Sequence, residues 1–166
     1  LVPGEHPFGA WYERESNIMS QKTVNGLWHF ENVPDCLDLL LRMLNHEQEH
    51  RPTSQQILHH PFFWNDQRRL DFFTDLSDLI ETDSTDPGII AAMEIDCPLV
   101  IGSGWGESLD QGLLEELGRF RKYDFRCIKD LLRVMRNKRH HFNELSIEMK
   151  NLMGSLPSGF VQYFES

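Results

Sequence analysis

Ile128-Lys129-Asp130-Leu131-Leu132-Arg133-Val134-Met135-Arg136-Asn137-Lys138-Arg139-His140-His141 decides the reading of this chain. Ile128, Leu131, Leu132 and Met135 recur at i, i+3, i+4 and i+7, the spacing of one face of an α-helix. If that face points inward, Arg136 and Asn137 lie at the end of the helix. Asn137 to His141 is predicted to turn away from it as a polar loop. Reading outward, almost every periodic segment has the same spacing. Leu37, Leu40, Leu41 and Leu44 form a second such stripe, with Asn32 as a cap and Pro34 near the first turn. Thr53-Ser54-Gln55-Gln56 is a capping-box pattern that opens a short helix through Leu58. Residues 66–81 place Leu70, Phe73, Leu76 or Ser77, and Ile80 on one face, and Pro87-Gly88 starts a further helix. Helix is expected again over 110–122, after Ser146 and after Ser158, with Gly154 closing the helix that Ser146 begins. Residues 97–112 are the least helical part, with the irregular segment near 97–109. Pro98-Leu99-Val100-Ile101 reads as a short extended piece and Gly102-Ser103-Gly104-Trp105-Gly106 as a loop without the spacing of a phosphate cradle. The fold class predicted is all-α.

The chain has 166 residues, 40% of them hydrophobic and 25% charged, the balance of a soluble globular protein. No apolar run approaches the length that crosses a bilayer. Leu1-Val2-Pro3-Gly4 has no basic start and apolar stretch, so no signal peptide is expected, and without a Met the chain reads as an internal piece. Cys36, Cys97 and Cys127 have no metal-ligand spacing and read as reduced, buried thiols. The net charge of −10 argues against a nucleic-acid partner, but its distribution reverses that impression. Residues 119–141 hold nine Lys and Arg against Asp124 and Asp130, a net of +7, while residues 66–118 carry −11. A basic island in an acidic protein suggests a local anionic ligand; the plainer alternative is a solvated helix face.

Cutting RNA without a metal needs a base for the 2′-OH, an acid for the departing 5′-oxygen, and a fixed cation for the charge that builds on phosphorus. The basic island holds a candidate for each. His141 exchanges a proton near neutral pH, Tyr123 offers a phenol, Arg136 is a planar cation suited to phosphate, and Asn137 can orient the scissile group. Lys122, Arg133, Lys138, Arg139 and His140 are the candidate RNA contacts around them. His46-Glu47-Gln48-Glu49-His50 also satisfies H-E-x-x-H, which binds zinc when both His share a helix face. The helix through Leu44 is predicted to end at Asn45, Pro52 follows at once, and no third His stands at the expected offset. No metal ligand is assigned.

Phe120-Arg121-Lys122-Tyr123, Asp130 to Phe142, Gly154-Ser155-Leu156-Pro157 and Phe160-Val161-Gln162-Tyr163-Phe164 resemble the kinase-extension nuclease (KEN) family, in particular its inositol-requiring, endoplasmic-reticulum stress-sensor branch. The 2-5A-dependent branch resembles Lys138 to His141 less well. His6-Pro7-Phe8-Gly9, Arg51-Pro52 and His60-Pro61-Phe62-Phe63 resemble the end of a protein kinase C-lobe. The resemblance implies residues 1–64 as a kinase remnant and 65–166 as a nuclease domain whose family continues into a further C-terminal helix. It implies His141 as general acid, Tyr123 as general base, Arg136 as the phosphate-contacting cation and Asn137 as a positioning partner; the residues alone leave acid and base open. It further implies RNA stem-loop substrates, including a messenger spliced in the unfolded protein response, 2′,3′-cyclic phosphate ends, and back-to-back homodimers. The nuclease would need no cofactor. ATP or ADP with Mg would belong to the kinase part of the parent, whose glycine loop, Lys and Asp motifs this chain does not contain, so no kinase reaction is expected here. The parent would place this piece on the cytosolic face of the endoplasmic reticulum without direct membrane contact. The competing reading is a non-catalytic dimerisation or RNA-binding module.

Overall fold

A computed structural model describes residues 6–22, 26–82, 86–95 and 97–165. The described residues form helices and turns only. They fall into two compact units, divided between Trp64 and Asn65.

In the first unit, α1 spans Arg14–Met19, α2 Pro34–Met43 and α3 Ser54–Leu58. Pro34 opens α2, where its missing N–H costs nothing, but Val33 rather than Asn32 stands at the cap. Leu39 is the buried residue of α2. The far end of the expected leucine stripe, Leu41 and Leu44, lines an open cleft of about 280 Å³ with Phe8 and Ile18. The capping box of α3 forms as predicted: Thr53 Oγ1 accepts from Gln56 N at 3.3 Å and Gln56 Oε1 from Thr53 N at 2.8 Å. His60 ties the unit's end together. Its Nδ1 accepts from Phe62 N at 3.3 Å, so Nε2 carries the proton and donates to Asp38 at 3.0 Å. The H-E-x-x-H stretch lies beyond α2, with Glu47 extended and Gln48–His50 in a 3-10 turn, so His46 and His50 do not share a helix face.

In the second unit, α4 spans Asp66–Ile80, α5 Pro87–Ile95, α6 Cys97–Ile101, α7 Gln111–Phe120, α8 Ile128–His140, α9 Ile147–Met153 and α10 Ser158–Glu165. Asn65 caps α4 by accepting from Arg68 N at 2.9 Å, and Ser146 caps α9 by accepting from Met149 N at 3.2 Å. Two expectations are corrected. Residues 98–101 belong to helix α6: Pro98 sits in its first turn, where proline is tolerated, and Gly102 ends it at φ +58. The irregular segment behind it seats Trp105, which is 4% exposed. Gly104 makes room for this, since a Cβ there would stand 3.0 Å from the Phe125 carbonyl oxygen. The second correction is α8, which does not break at Asn137 but runs on to His140. A last turn bearing Lys138, Arg139 and His140 complements the negative end of the helix dipole.

The core joins Leu70 and Ile80 of α4, Trp105, Leu113 and Leu117 of α7, Leu132, Val134 and Met135 of α8, Met153, Phe160 and Val161. α8 lies along α4 at the centre of this unit. Burying the inward face of α8 against α4 fixes the helix that carries the candidate chemistry.

Candidate active site

α8 is held at its N-terminus from another element. Glu94 of α5 accepts from Ile128 N at 3.1 Å, from Lys129 N at 2.9 Å and from the Cys127 thiol at 3.1 Å. Burial by itself would raise the Glu94 carboxyl, but those donors outweigh it and hold the pKa below the ordinary value of 4.5. Trp105 Nε1 donates to Cys127 O at 3.1 Å, and the Cys97 thiol to Arg126 O at 2.9 Å. Burial, and then Glu94, push both thiols up, so they serve as protonated donors. All three cysteines are free, but only Cys97 is fully buried.

Tyr123 sits in the segment between α7 and α8, half-buried, with its ring edge-on to Trp105 at 6.4 Å. That segment hangs from the first turn of α8. Asp130 Oδ2 accepts from Asp124 N at 2.8 Å, and Asp124 Oδ1 accepts from Arg126 N at 2.9 Å. Glu94 and Asp130 were missed by the sequence reading. The signal for Asp130 was present, as one of only two acids in a basic run, at the first turn of a helix. Glu94 had none, because its role depends on how α5 meets α8.

Arg136, Asn137 and His141 occupy the other end of α8. The Arg136 guanidinium is held on two sides: Nε donates to Asp78 Oδ1 of α4 at 2.6 Å, and one terminal nitrogen donates to Asn137 Oδ1 at 3.2 Å. His141 follows the last turn, its amide donating to Asn137 O at 3.0 Å. Its side chain is 64% exposed, and Nδ1 lies 3.0 Å from Glu144 Oε2. The structure therefore brings Arg136 and Asn137 into contact and places His141 one turn on. With about 1.5 Å of rise per residue, Asp130 and His141 are roughly 16 Å apart along the helix. Tyr123 is tethered at the Asp130 end, and among the described residues no hydrogen bond joins it to His141.

The candidate RNA contacts divide. Lys122 and His140 are exposed. Arg133, Lys138 and Arg139 face carboxylates of this chain. Arg133 pairs with Glu81 and, at 2.8 Å, with Asp130. Arg139 pairs with Asp71 and donates to Thr74 Oγ1 at 2.6 Å. Lys138 is 8% exposed and pairs with Glu116 of α7. With Asp78–Arg136 between them, Asp71–Arg139 and Glu81–Arg133 make a ladder of three ion pairs joining α4 to α8 in antiparallel order. Gln67 and Arg139 hold the Asp71 carboxyl below its ordinary range.

Comparison with known proteins adds the family. A model of the Ribonuclease 2-5A family matches residues 69–166. The serine/threonine-protein kinase/endoribonuclease IRE1 of Oryza sativa subsp. japonica is 44% identical over 167 residues, covering 100% of this chain and 18% of that protein. The sensor for unfolded proteins in the ER ire1 of Schizosaccharomyces pombe is 39% identical over 170 residues, 99% of this chain and 16% of that protein. The serine/threonine-protein kinase/endoribonuclease IRE2 of Homo sapiens is 39% identical over 168 residues, 99% of this chain and 18% of that protein. The chain thus spans less than a fifth of the length of these relatives. Since the family match covers all seven helices of the second unit but the first residues of α4, the chain belongs to the Ribonuclease 2-5A family.

Proposed function

We propose that this chain is an endoribonuclease that cleaves RNA stem-loops by 2′-OH transesterification without a metal. The observation that carries the reading is the C-terminal end of α8, where Arg136, oriented by Asp78 and Asn137, stands one turn from an exposed His141. Family membership and relatives named endoribonucleases support the same chemistry. The 2′-oxygen attacks the adjacent phosphorus. Tyr123, acting as its phenolate, takes the 2′-OH proton, the Arg136 guanidinium faces the charge on the non-bridging oxygens, and His141 gives a proton to O5′ as the P–O5′ bond breaks. The products are a 2′,3′-cyclic phosphate and a 5′-hydroxyl. Because Tyr123 is tethered toward the opposite end of α8, a homodimer is the state in which we expect acid and base to converge on one phosphate.

The named unfolded-protein sensor among the relatives supports a role in messenger processing during the unfolded protein response, on the cytosolic face of the endoplasmic reticulum. No described helix is long and apolar enough to cross a membrane. Nucleotide and Mg are assigned to the kinase length of the relatives that this chain does not span. The test is cleavage of a labelled RNA stem-loop in EDTA by the chain held dimeric through a fused coiled coil, beside His141→Ala. Cyclic-phosphate ends that vanish in the variant are expected. RNA binding without cleavage by the dimer would overturn the reading in favour of a binding module.

A further inference from the structure

We propose that Glu144 is a positioning residue of this site: it accepts the Nδ1 proton of His141 and so holds the tautomer and ring orientation that present Nε2 to the RNA. The inference rests on the endoribonuclease reading and adds to it a residue outside the Tyr123, Arg136, Asn137 and His141 set.

The geometry begins with the turn. His141 closes α8, and Phe142–Glu144 form a 3-10 turn in which Glu144 N donates to His141 O at 2.9 Å. Three residues per turn bring side chains i and i+3 to the same side, which is how Glu144 Oε2 comes to lie 3.0 Å from His141 Nδ1. Both side chains are exposed, yet the backbone beneath them is pinned. The Phe142 ring packs edge-on to Phe160 at 6.2 Å, and Phe160 is completely buried. Lys150 Nζ donates to Asn143 O at 2.7 Å, and Leu145 N to Phe142 O at 3.3 Å. Ser146 then caps α9. The carboxylate is therefore offered from a fixed platform to a ring whose own burial does not orient it.

The chemistry needs that orientation at one moment. As the P–O5′ bond breaks, its electron pair leaves with O5′ and the Nε2 proton moves to that oxygen. The imidazolium becomes a neutral imidazole with its remaining proton on Nδ1. Of the two neutral tautomers, that is the one a carboxylate at Nδ1 favours, so Glu144 keeps Nε2 aimed at O5′ before and after the proton leaves. Because the pair is solvated, its effect is far below that of a buried orienting carboxylate.

The test separates a role through His141 from a structural one. Cleavage of an RNA stem-loop by the dimeric chain is compared with Glu144→Ala, Glu144→Gln and His141→Ala. Each is given a substrate with the ordinary 5′-oxygen and one with a 5′-bridging sulfur at the cleaved bond, since a thiolate leaves without a proton. Glu144→Ala is expected to lower kcat on the oxygen substrate about 3- to 20-fold, a small part of what assisted proton transfer contributes. KM is expected to stay within about twofold. Glu144→Gln, which keeps an acceptor oxygen, is expected to recover part of the loss. On the sulfur substrate Glu144→Ala is expected to match the parent chain, and His141→Ala to regain most of its activity. Glu144→Ala with unchanged kcat on oxygen, or with equal losses on both substrates, would overturn the proposal while His141→Ala still upheld the nuclease reading. Failure of the parent dimer to cut either substrate would overturn both.

Discussion

Arg136 shows how a single side chain divides its bonds. Its Nε is engaged by Asp78 and one terminal nitrogen by Asn137, an arrangement that fixes the guanidinium plane. Lysine cannot reproduce that fork. Arg136→Lys is therefore expected to lower cleavage at least about tenfold while RNA affinity changes less than about threefold, in single-turnover kinetics beside filter binding. Equal losses in both would mean that Arg136 serves binding alone. Ser77 makes a different point. Its hydroxyl is fully buried in α4 and, among the described residues, is the side-chain polar atom there with no hydrogen-bond partner. Ser77→Ala removes an unsatisfied group and is expected to leave stability unchanged or raise it by up to about 1 kcal/mol, read from the urea midpoint. A clear loss would mean the hydroxyl has a partner in solution. The catalytic candidates were legible at this scale because proton donors, an amide and a planar cation crowd into residues 119–141. Of their supports, only Asp130 left a signal, as an acid in a basic run; Asp78 and Glu94 did not, because a carboxylate that orients another group looks in sequence like any surface acid.

The same limits show at the level of elements. The stripe of Ile128, Leu131, Leu132 and Met135 announced α8, and the capping box announced α3. The expected break at Asn137 failed because polarity was read as the end of a helix. The polar residues continue the helix instead, with Arg139 pairing to Asp71 and Lys138 to Glu116. The expected extended piece at 98–101 failed because a proline shortly before β-branched Val100 and Ile101 suits both an edge strand and a first helical turn. Glu94 provides a test of how α8 is anchored. A carboxylate at a helix N-terminus contributes about 1–2 kcal/mol, so Glu94→Ala is expected to lose about that much in urea unfolding at pH 7. The folded pKa is depressed, so this stability is present above about 4.5 and is lost as pH falls through the folded value. The difference between parent and variant is expected to shrink as pH falls below 4.5. A gap that stays constant with pH would assign the loss to packing rather than charge.

Across the whole molecule, the segregation of charge was visible in the sequence and its meaning was only half read. The acids of 66–118 and the bases of 119–141 suggested an anionic ligand, and a large part of that imbalance is met inside the fold by Asp71, Asp78, Glu81 and Glu116. RNA binding should then depend on salt less steeply than nine cations imply. A slope of log affinity against log salt of about −3 to −4 is expected, rather than about −6. A slope near −6 would mean that the ion pairs open when RNA arrives. Lys138 tests the same distinction through stability. Lys138→Ala leaves Glu116 facing an unfilled site, and a loss of about 1–3 kcal/mol is expected in the absence of RNA. Unchanged stability would return Lys138 to the RNA-contacting set.

The three rungs between α4 and α8 also constrain how the sequence can drift. Reversing one charge alone puts like charges face to face. Exchanging Asp71 with Arg139 keeps an opposite pair in place, so that rung can trade ends through compensating change, whereas exchanging Glu81 with Arg133 would set a second acid against Asp130. Under the proposed function the middle rung has no such freedom, because Arg136 would answer to RNA as well as to Asp78. The outer rungs answer to the fold alone; in the proposed nuclease the middle one answers to the substrate as well, and that double duty holds its polarity fixed.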